Sequence, residues 1–386
     1  MIKPLHAPLD HSSSSEVILI TGAGGSIGSS LAKRFAGLKL DQEIANQDVR
    51  AQHSCAPAWQ YVTRTVVLLD HSEQNLYEIN SQLSSANATA TASPQLIPIL
   101  GDINDVSLVE NLFEKFRPTQ AFHAAAFKHV PLTEQNPIAV IRNNILGTWT
   151  LAEAAAKHRA RNLTMISTDK AANPRSIMGA TKRVAEIILS CLDSPATRLC
   201  SLRLCNVLRS TGSVVPLFER QIKMGGPLTL THADATRYFI TLQEATSLIF
   251  RAAALDENGT LFVPKLDAPV KIADLAKKMI SEAAESNPKP IKVVDIGLRP
   301  GEKLEERLTS SAEIVEATTD SKLRRISGPM PSAETLRSAI NLISEKLQSR
   351  DLPALLEVIR SLVPSYRPSD VISAQTSARL SATAKA

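Results

Sequence analysis

Short apolar runs alternate with helical patterns through the first half of the chain. Five such runs each end at glycine, alanine or a polar residue, at positions 17–20, 66–69, 96–100, 121–126 and 163–166. Between them lie apolar positions with helical spacing, most clearly over 144–158 and 178–192. Strands that alternate with helices in this way predict an α/β fold with a parallel sheet covered by helices on both faces.

The pattern divides the chain into segments of different character. After about Leu208 the elements become shorter and are broken by glycine and proline, which predicts a smaller C-terminal substrate-binding domain with helices over 242–255 and 272–285. In chain order the predicted parts are a flexible lead at 1–16, a sheet domain at 17–208 with surface insertions at 41–65 and 84–94, the smaller domain at 209–330, a helical segment at 331–365, and a disordered Ser/Ala/Thr-rich tail at 366–386.

Composition excludes several classes of protein. The 386 residues are 44% hydrophobic and 21% charged with a net charge of +5, as expected of a globular chain. No apolar stretch approaches the roughly 18 residues of a membrane helix, so a cytoplasmic protein is expected. The four cysteines form no C-x-x-C pair, and no metal site is predicted. Aromatic residues at 4%, with basic residues interleaved among acids, argue against nucleic-acid binding.

A glycine-rich turn joins the first predicted strand to the first helix. Gly22-Ala-Gly-Gly25-Ser26-Ile27-Gly28 stands where backbone N–H groups and the helix dipole can receive a pyrophosphate. The alternative is a small-residue turn needed only for packing. The strand before it and the helix after it favour a Rossmann-type doubly wound fold that binds a dinucleotide.

Two acids follow the next strands. Asp70 ends the second strand, where a carboxylate can bind the adenosine ribose and repel a 2′-phosphate, which favours NAD over NADP. Its separation of 42 positions from Gly28 exceeds the roughly 20 that are usual, and the 41–65 insertion accounts for the excess. An exposed strand-end aspartate is the alternative. Asp102 and Ile103, after the third strand, are placed to meet the adenine.

A hydroxyl, an acid and an amine follow the fifth strand as Thr168, Asp169 and Lys170. The carboxyl edge of an open α/β sheet is where such folds bind ligands, so these groups form a candidate proton-transfer set. A solvated turn is the alternative. On the next helix Met178 and Lys182 are four residues apart and share one face.

Ordered motifs give the sequence a specific resemblance. Thr21–Gly28, Asp70–Glu73, His123–Leu132, Asn144–Thr148 and Ser167–Ala171, followed by Met178–Lys182, Asn206–Leu208, Thr236–Phe239 and Leu298–Lys303, resemble the CapD-like polysaccharide-biosynthesis branch of the extended short-chain dehydrogenases. The resemblance covers about 17–308. That branch includes UDP-N-acetylglucosamine 4,6-dehydratases, and the chain resembles the soluble catalytic domain of its larger members, without their N-terminal membrane helices.

The resemblance implies bound NAD, a UDP-sugar substrate and a redox-neutral dehydration. Lys170 would be the base at C5 of the sugar, Asp169 the acid for the leaving hydroxyl, Thr168 a partner of the 4-oxygen, and Lys182 a ligand of the nicotinamide ribose. A cation beside Lys170 would lower its pKa enough for it to act as a base near neutrality. The implied cofactor contacts are Gly22, Gly25, Ser26, Ile27, Gly28, Asp70, Asp102, Ile103, Ala124, Ala125, Ala126, Asn144 and Lys182, and the implied substrate contacts are Lys128, His129, Asn206, Arg237, Arg299 and Glu302.

The sequence departs from the family pattern at three positions. Met178 replaces the usual catalytic tyrosine, as it does in the large members, which leaves Asp169 or Lys170 as the candidate base at C4. Cys205 and Arg209 replace the family's glycines on either side of the Asn206–Leu208 motif, and Arg209 lies beside the expected sugar-nucleotide site. A C4 epimerase and a non-catalytic protein that binds NAD or a nucleotide sugar are the alternative functions, and a homo-oligomer is expected.

Overall fold

In the computed structural model the described residues are 16–38, 64–87, 93–255, 257–284 and 290–383. They form fifteen strands and thirteen α-helices. The strands are β1 Glu16–Thr21, β2 Arg64–Asp70, β3 Gln95–Leu100, β4 Gln120–His123, β5 Asn162–Thr168, β6 Arg198–Leu204, β7 Asn206–Val207, β8 Leu228–Leu230, β9 Thr236–Arg237, β10 Phe239–Ile240, β11 Thr260–Pro264, β12 Val270–Lys271, β13 Val293–Asp295, β14 Ile314–Ala317 and β15 Leu323–Ser327. The helices are α1 Ser26–Phe35, α2 Glu73–Asn87, α3 Val106–Phe116, α4 Val130–Gln135, α5 Pro137–Ile141, α6 Gly147–Lys157, α7 Ile177–Cys191, α8 Val214–Lys223, α9 Leu242–Ala254, α10 Ile272–Ala284, α11 Ala333–Gln348, α12 Leu352–Leu362 and α13 Asp370–Thr383.

Nine strands form one sheet in the order β14-β15-β11-β6-β5-β4-β1-β2-β3. The seven strands from β11 to β3 are parallel, and β15 and β14 add an antiparallel edge. The central strands are apolar on both sides because helices cover both faces. The predicted Rossmann-type α/β fold is therefore confirmed. Strand order reverses at β1, between β4 and β2, which opens a crevice at the carboxyl ends of these strands.

The division predicted at Leu208 differs from the structure. Strands β11, β14 and β15 and helix α9 come from the 209–330 segment, yet they extend or cover the main sheet. Strand β11 is a short apolar run, and its antiparallel partner β15 lies more than fifty residues further along the chain. What remains of that segment packs around a small core of its own, formed by Phe218, Leu228, Leu230, Ala235, Ile272 and Ala276.

The predicted insertions and tail also need correction. Residues 1–15 and 39–63 lie outside the described residues, and helix α2 continues to Asn87, through the start of the predicted 84–94 insertion. The tail predicted to be disordered instead forms α13. Two buried residues in this polar segment, Tyr366 and Ile372, anchor it to the core. The Ser369 hydroxyl also accepts a hydrogen bond from the Ile372 N–H. No described helix is long and apolar enough to cross a membrane.

A buried arginine joins four segments beneath the carboxyl end of β5. Arg203 on β6 is fully buried and donates from Nε and Nη2 to the two carboxylate oxygens of Glu186 on α7, each at 2.8 Å. From Nη1 and Nη2 it donates to Glu313, at 2.9 and 2.7 Å, and a further bond from Nη1 reaches the Leu308 carbonyl. The Ser167 hydroxyl on β5 donates to Glu186 as well. All five guanidinium donors are therefore satisfied.

We expect Arg203→Met to lower the free energy of unfolding by about 3–5 kcal/mol, because among the described residues it leaves the buried carboxylates of Glu186 and Glu313 with only Arg183 as a cationic partner, at 2.9 and 3.7 Å. The measurement is the urea midpoint followed by circular dichroism. Adding Glu186→Gln and Glu313→Gln to this variant should recover part of the loss, since the stranded charges are then removed.

Arg209→Met is the matched control. Arg209 makes a 3.1 Å ion pair with Glu219, and both side chains are about half exposed. Loss of such a pair should change the free energy of unfolding by only about 0–1 kcal/mol. Equal losses in the Arg203 and Arg209 variants would contradict a central role for the buried cluster.

Candidate active site

The glycine turn leaves the start of α1 open to a ligand. Gly22 has a φ of +66°, and a Cβ there would lie 2.7 Å from the Ala125 nitrogen, so the loop after β4 approaches too closely for any side chain. Gly25 is the N-cap of α1 and has no side chain to cap it. The first backbone N–H groups of the helix are therefore not occupied by a capping side chain, as a phosphate site requires. Gly28 is buried in the same turn, and Ile27 packs against the core.

A cavity of about 150 Å³ lies in the crevice beside this turn. Its wall brings together most of the predicted cofactor residues, namely Gly22, Gly25, Asp70, Ile103, Ala124, Ala125 and Ala126. The Asp70 carboxylate is buried and accepts hydrogen bonds from the Gly24 and Ser72 N–H groups, both at 2.9 Å. Each of its oxygens keeps a lone pair for another donor. Asp102 is exposed and accepts from Asn104.

Asn144 plays a different part from the one predicted. It lies in a short π-helical turn, Arg142–Leu146, of the kind often found at functional sites. Its Oδ1 accepts from the Phe127 N–H and the Asn143 amide, while its Nδ2 donates to the Phe127 carbonyl and the Thr181 hydroxyl. This uses the full hydrogen-bonding capacity of its two donors and two acceptor sites. Asn144 therefore holds the loop after β4 against α7, and its amide has no donor left for a cofactor.

His123, at the end of β4, links the phosphate loop to the helices behind it. Its ring nitrogens lie 2.7 Å from the Thr21 hydroxyl and 3.0 Å from the Thr148 hydroxyl. Burial, together with nearby Lys182, lowers the pKa of His123 to about 3. The imidazole is therefore neutral and serves as a fixed hydrogen-bonding bridge. The sequence motif contains His123, but its role there was not predicted.

The three polar residues after β5 form one hydrogen-bonded turn. Thr168 caps a short 3₁₀ turn, Asp169–Ala171, and donates from its hydroxyl to Asp169 Oδ1 at 3.0 Å. Lys170 Nζ donates to the same oxygen at 2.9 Å and to Asn206 Oδ1 at 3.4 Å. Asp169 is fully buried, and among the described residues its Oδ2 has no hydrogen-bond partner. A buried carboxylate oxygen without a partner is costly, and this atom keeps its capacity to accept a hydrogen bond.

The residues around Lys170 give its amine a different charge state from the one expected from the sequence. Burial alone would lower the pKa of Lys170, but the carboxylates of Asp169 and Glu306 outweigh burial and raise it. The cation that opposes them, Arg237, is the weaker influence. Lys170 is thus an ammonium group at neutral pH, and the expectation that a neighbouring cation depresses its pKa is wrong.

Lys182, and not Lys170, is the lysine of this site whose pKa is lowered. Burial lowers the pKa of Lys182 to about 8, against the opposing effect of Glu186. Among the described residues its ammonium has no hydrogen-bond or ion-pair partner. One turn earlier on α7, Met178 is buried and offers no proton acceptor. Helix α7 packs directly on the Lys170 turn. The approach is so close that a Cβ at Gly179 would lie 2.3 Å from the Lys170 carbonyl oxygen.

The predicted substrate residues separate into two groups. Asn206 contacts Lys170, whereas the Arg237 guanidinium donates to the carbonyls of Thr236, Lys303 and Leu304 and so braces the 299–306 segment. Arg299 and Glu302 bind each other through a hydrogen bond of 2.9 Å from Arg299 Nε, and Arg299 is about half exposed. Arg299 and Glu302 therefore form an ion pair at the surface of the described structure.

Two of the predicted ligand-binding residues, Ser26 and His129, contact the 209–213 loop. The Ser26 hydroxyl accepts from the Thr211 N–H at 3.1 Å. Lys128 and His129 are exposed, and the His129 ring packs beside Gly212. The 209–213 loop, which includes Arg209, therefore borders the phosphate turn.

Glu306 is a site residue that the sequence analysis does not identify. It is only 5% exposed; its Oε1 lies 3.7 Å from Lys170 Nζ and its Oε2 lies 3.0 Å from Lys303 Nζ. Lys303 also donates to the Ala172 carbonyl. Glu306 stands three residues after Lys303 in a stretch of mixed charges, and this spacing is the sequence signal that could have identified it. Within the described residues, no group of three or more His, Cys, Asp or Glu side chains is arranged to hold a metal ion.

Solved structures resemble this fold. Pen from Bacillus thuringiensis superposes with a TM-score of 0.69 at 27% identity, covering 86% of this chain and 97% of Pen. DesIV, a dTDP-glucose 4,6-dehydratase from Streptomyces venezuelae solved with NAD bound, superposes with a TM-score of 0.57 at 18% identity, covering 76% of this chain and 88% of DesIV. At that identity the second comparison concerns the fold alone.

Sequence comparison identifies the family. Capsular polysaccharide biosynthesis protein CapD of Staphylococcus aureus is 40% identical over 301 residues, which is 78% of this chain and 46% of CapD, so the chain spans about half the length of that relative. A UDP-glucose 4-epimerase of Rickettsia canadensis is 30% identical over 306 residues, covering 78% of this chain and 80% of the epimerase. Residues 51–327 match the family described as polysaccharide biosynthesis protein. The resemblance found in the motifs is confirmed, and this chain belongs to the polysaccharide biosynthesis protein family.

Proposed function

We propose that this protein is an NAD-dependent nucleotide-sugar 4,6-dehydratase that converts UDP-N-acetylglucosamine, or a related UDP-N-acetylhexosamine, into a 4-keto-6-deoxy sugar. The observation that carries the proposal is the Asp169–Lys170 pair at the carboxyl end of β5, with Asp169 Oδ2 unpartnered. An elimination needs an acid and a base at one place, and this pair supplies both groups within 2.9 Å.

The crevice beside the pair fits NAD. The Gly22 turn, the uncapped start of α1 and the alanines after β4 form a cradle that side chains would fill, and Asp70 lies at its edge with free lone pairs. These residues would hold the pyrophosphate and the adenosine ribose, and Lys182 the nicotinamide ribose. When bound, NAD supplies the means to take a hydride from the sugar and return it. DesIV, which shares the fold, is a 4,6-dehydratase with NAD bound.

The protein groups account for the proton movements of the dehydration. The 4-keto group makes the C5 proton acidic; neutral Lys170 would take that proton, while protonated Asp169 would give its own to the departing 6-hydroxyl, so that water leaves. The observed ion pair reaches this state by one proton transfer from Lys170 Nζ to Asp169 Oδ1, along their existing hydrogen bond. Elimination then regenerates the ion pair. Thr168 would bind the 4-oxygen.

The 4-oxygen proton requires a different acceptor from the usual tyrosine. Met178 cannot accept a proton, and the raised pKa of Lys170 does not favour it as the first acceptor. The Asp169 carboxylate, with its unpartnered Oδ2, is the stronger of the two candidates. Asp169 would pass the 4-oxygen proton on to solvent, which restores the ion pair before elimination. Lys170 would regain a proton from solvent after it has protonated C5.

A C4 epimerase is the second candidate, because the Rickettsia canadensis relative carries that name over 80% of its length. An epimerase needs no acid for a departing 6-hydroxyl, so the buried Asp169–Lys170 pair favours dehydration. Incubation of the purified chain with NAD and UDP-N-acetylglucosamine tests both, by mass spectrometry and NMR of the product. Loss of water supports the dehydratase, a C4 epimer at unchanged mass supports the epimerase, and unchanged substrate contradicts both.

We expect the protein to bind NAD more tightly than NADP, because the Asp70 carboxylate would repel a 2′-phosphate. Isothermal titration with both cofactors measures the preference. Asp70→Asn should reduce the preference for NAD over NADP, because the amide keeps the size of the side chain and removes its charge. Equal affinity for the two cofactors in the native chain would withdraw the role assigned to Asp70.

Lys170→Met should abolish release of the 4-keto-6-deoxy sugar, with a loss of about 10²–10⁴-fold, the usual scale for a general base. The variant keeps the apolar stem, so NAD affinity should stay unchanged. Solvent deuterium should no longer enter C5. Near-normal dehydration in this variant would refute the assignment. Loss of hydride transfer as well would identify Lys170 as the base at C4.

A further inference from the structure

Glu306 lies in the proton-transfer cluster without having a role in the steps above. It belongs to the 299–306 segment, far along the chain from the turn after β5, and it is buried. Its carboxylate sits between two amines, with Oε1 3.7 Å from Lys170 Nζ and Oε2 3.0 Å from Lys303 Nζ. Lys303 is anchored in turn by a 2.8 Å hydrogen bond to the Ala172 carbonyl, just beyond the Lys170 turn.

We propose that Glu306 is a positioning residue for the Asp169–Lys170 pair, which holds the Lys170 amine from a second chain segment and keeps its proton on nitrogen until a sugar is bound. This inference rests on the proposed function for its catalytic meaning. Its structural content, that Glu306 governs where and in what state the Lys170 amine rests, stands on the distances alone.

The charged groups around Lys170 support a proton-exchanging role for Asp169 and a positioning role for Glu306. Asp169 on the same turn and Glu306 on the facing segment are the two carboxylates, Arg237 on β9 is the opposing cation, and the polar neighbours are Asn206 and the Cys205 thiol. Asp169 must exchange a proton with Lys170 during elimination. Glu306 lies further from the amine than Asp169 does, and at 3.7 Å it stabilises the ammonium without a short bond along which a proton would move.

The charge of the Glu306 carboxylate acts at two points of the proposed reaction. A carboxylate that stays charged resists premature proton transfer from Lys170 to Asp169 while no sugar occupies the site. After elimination, the same carboxylate favours the ammonium form of Lys170, which has to return a proton to C5. Glu306 therefore sets the pH range of the pair without itself taking or giving a proton in the reaction.

The first test measures the Lys170 amine directly. Trace labelling with acetic anhydride across pH, read by mass spectrometry of the peptide that contains Lys170, gives the midpoint of its deprotonation, since only the neutral amine reacts. Glu306→Gln should lower that midpoint by roughly 1–3 pH units, the effect of removing an opposite charge at this distance. Glu306→Asp keeps the charge but withdraws it by one methylene, and should lower the midpoint by less.

The neighbouring carboxylate provides the control. Glu305 is mostly exposed and its ion pair, at 3.8 Å, is with Arg307. Glu305→Gln should leave the Lys170 midpoint unchanged. A folded Glu306→Gln variant with the native midpoint would overturn the inference. If that variant does not fold, Glu306→Asp decides: a native midpoint there overturns the inference equally.

The second test uses the pH profile of dehydration. In Glu306→Gln the limb that reports deprotonation of Lys170 should move to lower pH by the same roughly 1–3 units. A uniform loss of rate with the limb in place would indicate mere structural damage and contradict the inference. If the native chain forms no 4-keto-6-deoxy sugar but the labelling midpoint still shifts, the proposed function fails and the hold of Glu306 on Lys170 is retained.

Discussion

The fully bonded guanidinium of Arg203 is the interaction on which the arrangement of the site depends. An arginine buried in a sheet is stable only if each of its five donors finds an acceptor, and here Glu186, Glu313 and the Leu308 carbonyl supply them. These partners come from α7 and from the segment that leads into β14. One side chain on β6 thereby fixes the helix that carries Lys182 relative to the strand that precedes Asp169.

This constraint extends to the proton-transfer turn. Ser167, the residue before Thr168, donates to Glu186, so the end of β5 is tied to the same cluster. The first turn of α7 is held from the other side, where the Glu134 carboxylate accepts from the Ile177 N–H at 2.7 Å. Rigid support of this kind allows a buried carboxylate oxygen to remain unpartnered, because the backbone that carries Asp169 cannot relax to satisfy it.

The sequence predicts local elements well and tertiary partners poorly. The predictions for strands β1 to β5 lie close to the observed bounds because each strand is an apolar run closed by a polar or small residue, and the prediction for α7 does so because its apolar positions have helical spacing. The burial of Glu306 could not be predicted, since it stands in a stretch of mixed charges that is typical of a solvated surface. The order of α13 was missed for a similar reason. Its polar sequence is anchored by contacts such as the hydrogen bond from Ser369 to Glu134, which lies 235 positions earlier.

The distribution of the main core along the chain has a consequence for synthesis. On one face of the sheet, Val17 and Leu19 of the first strand share a single apolar cluster with Leu336, Ile359 and Ile372 of the last three helices. A ribosome that has made β1 to β6 and α7 has produced a sheet whose covering helices still expose the apolar surface on which α11 and α12 later pack. That surface stays exposed to water and to neighbouring polypeptides until the helices from α11 onward emerge. Chaperone dependence during translation should therefore be concentrated in this interval and end with the last helices.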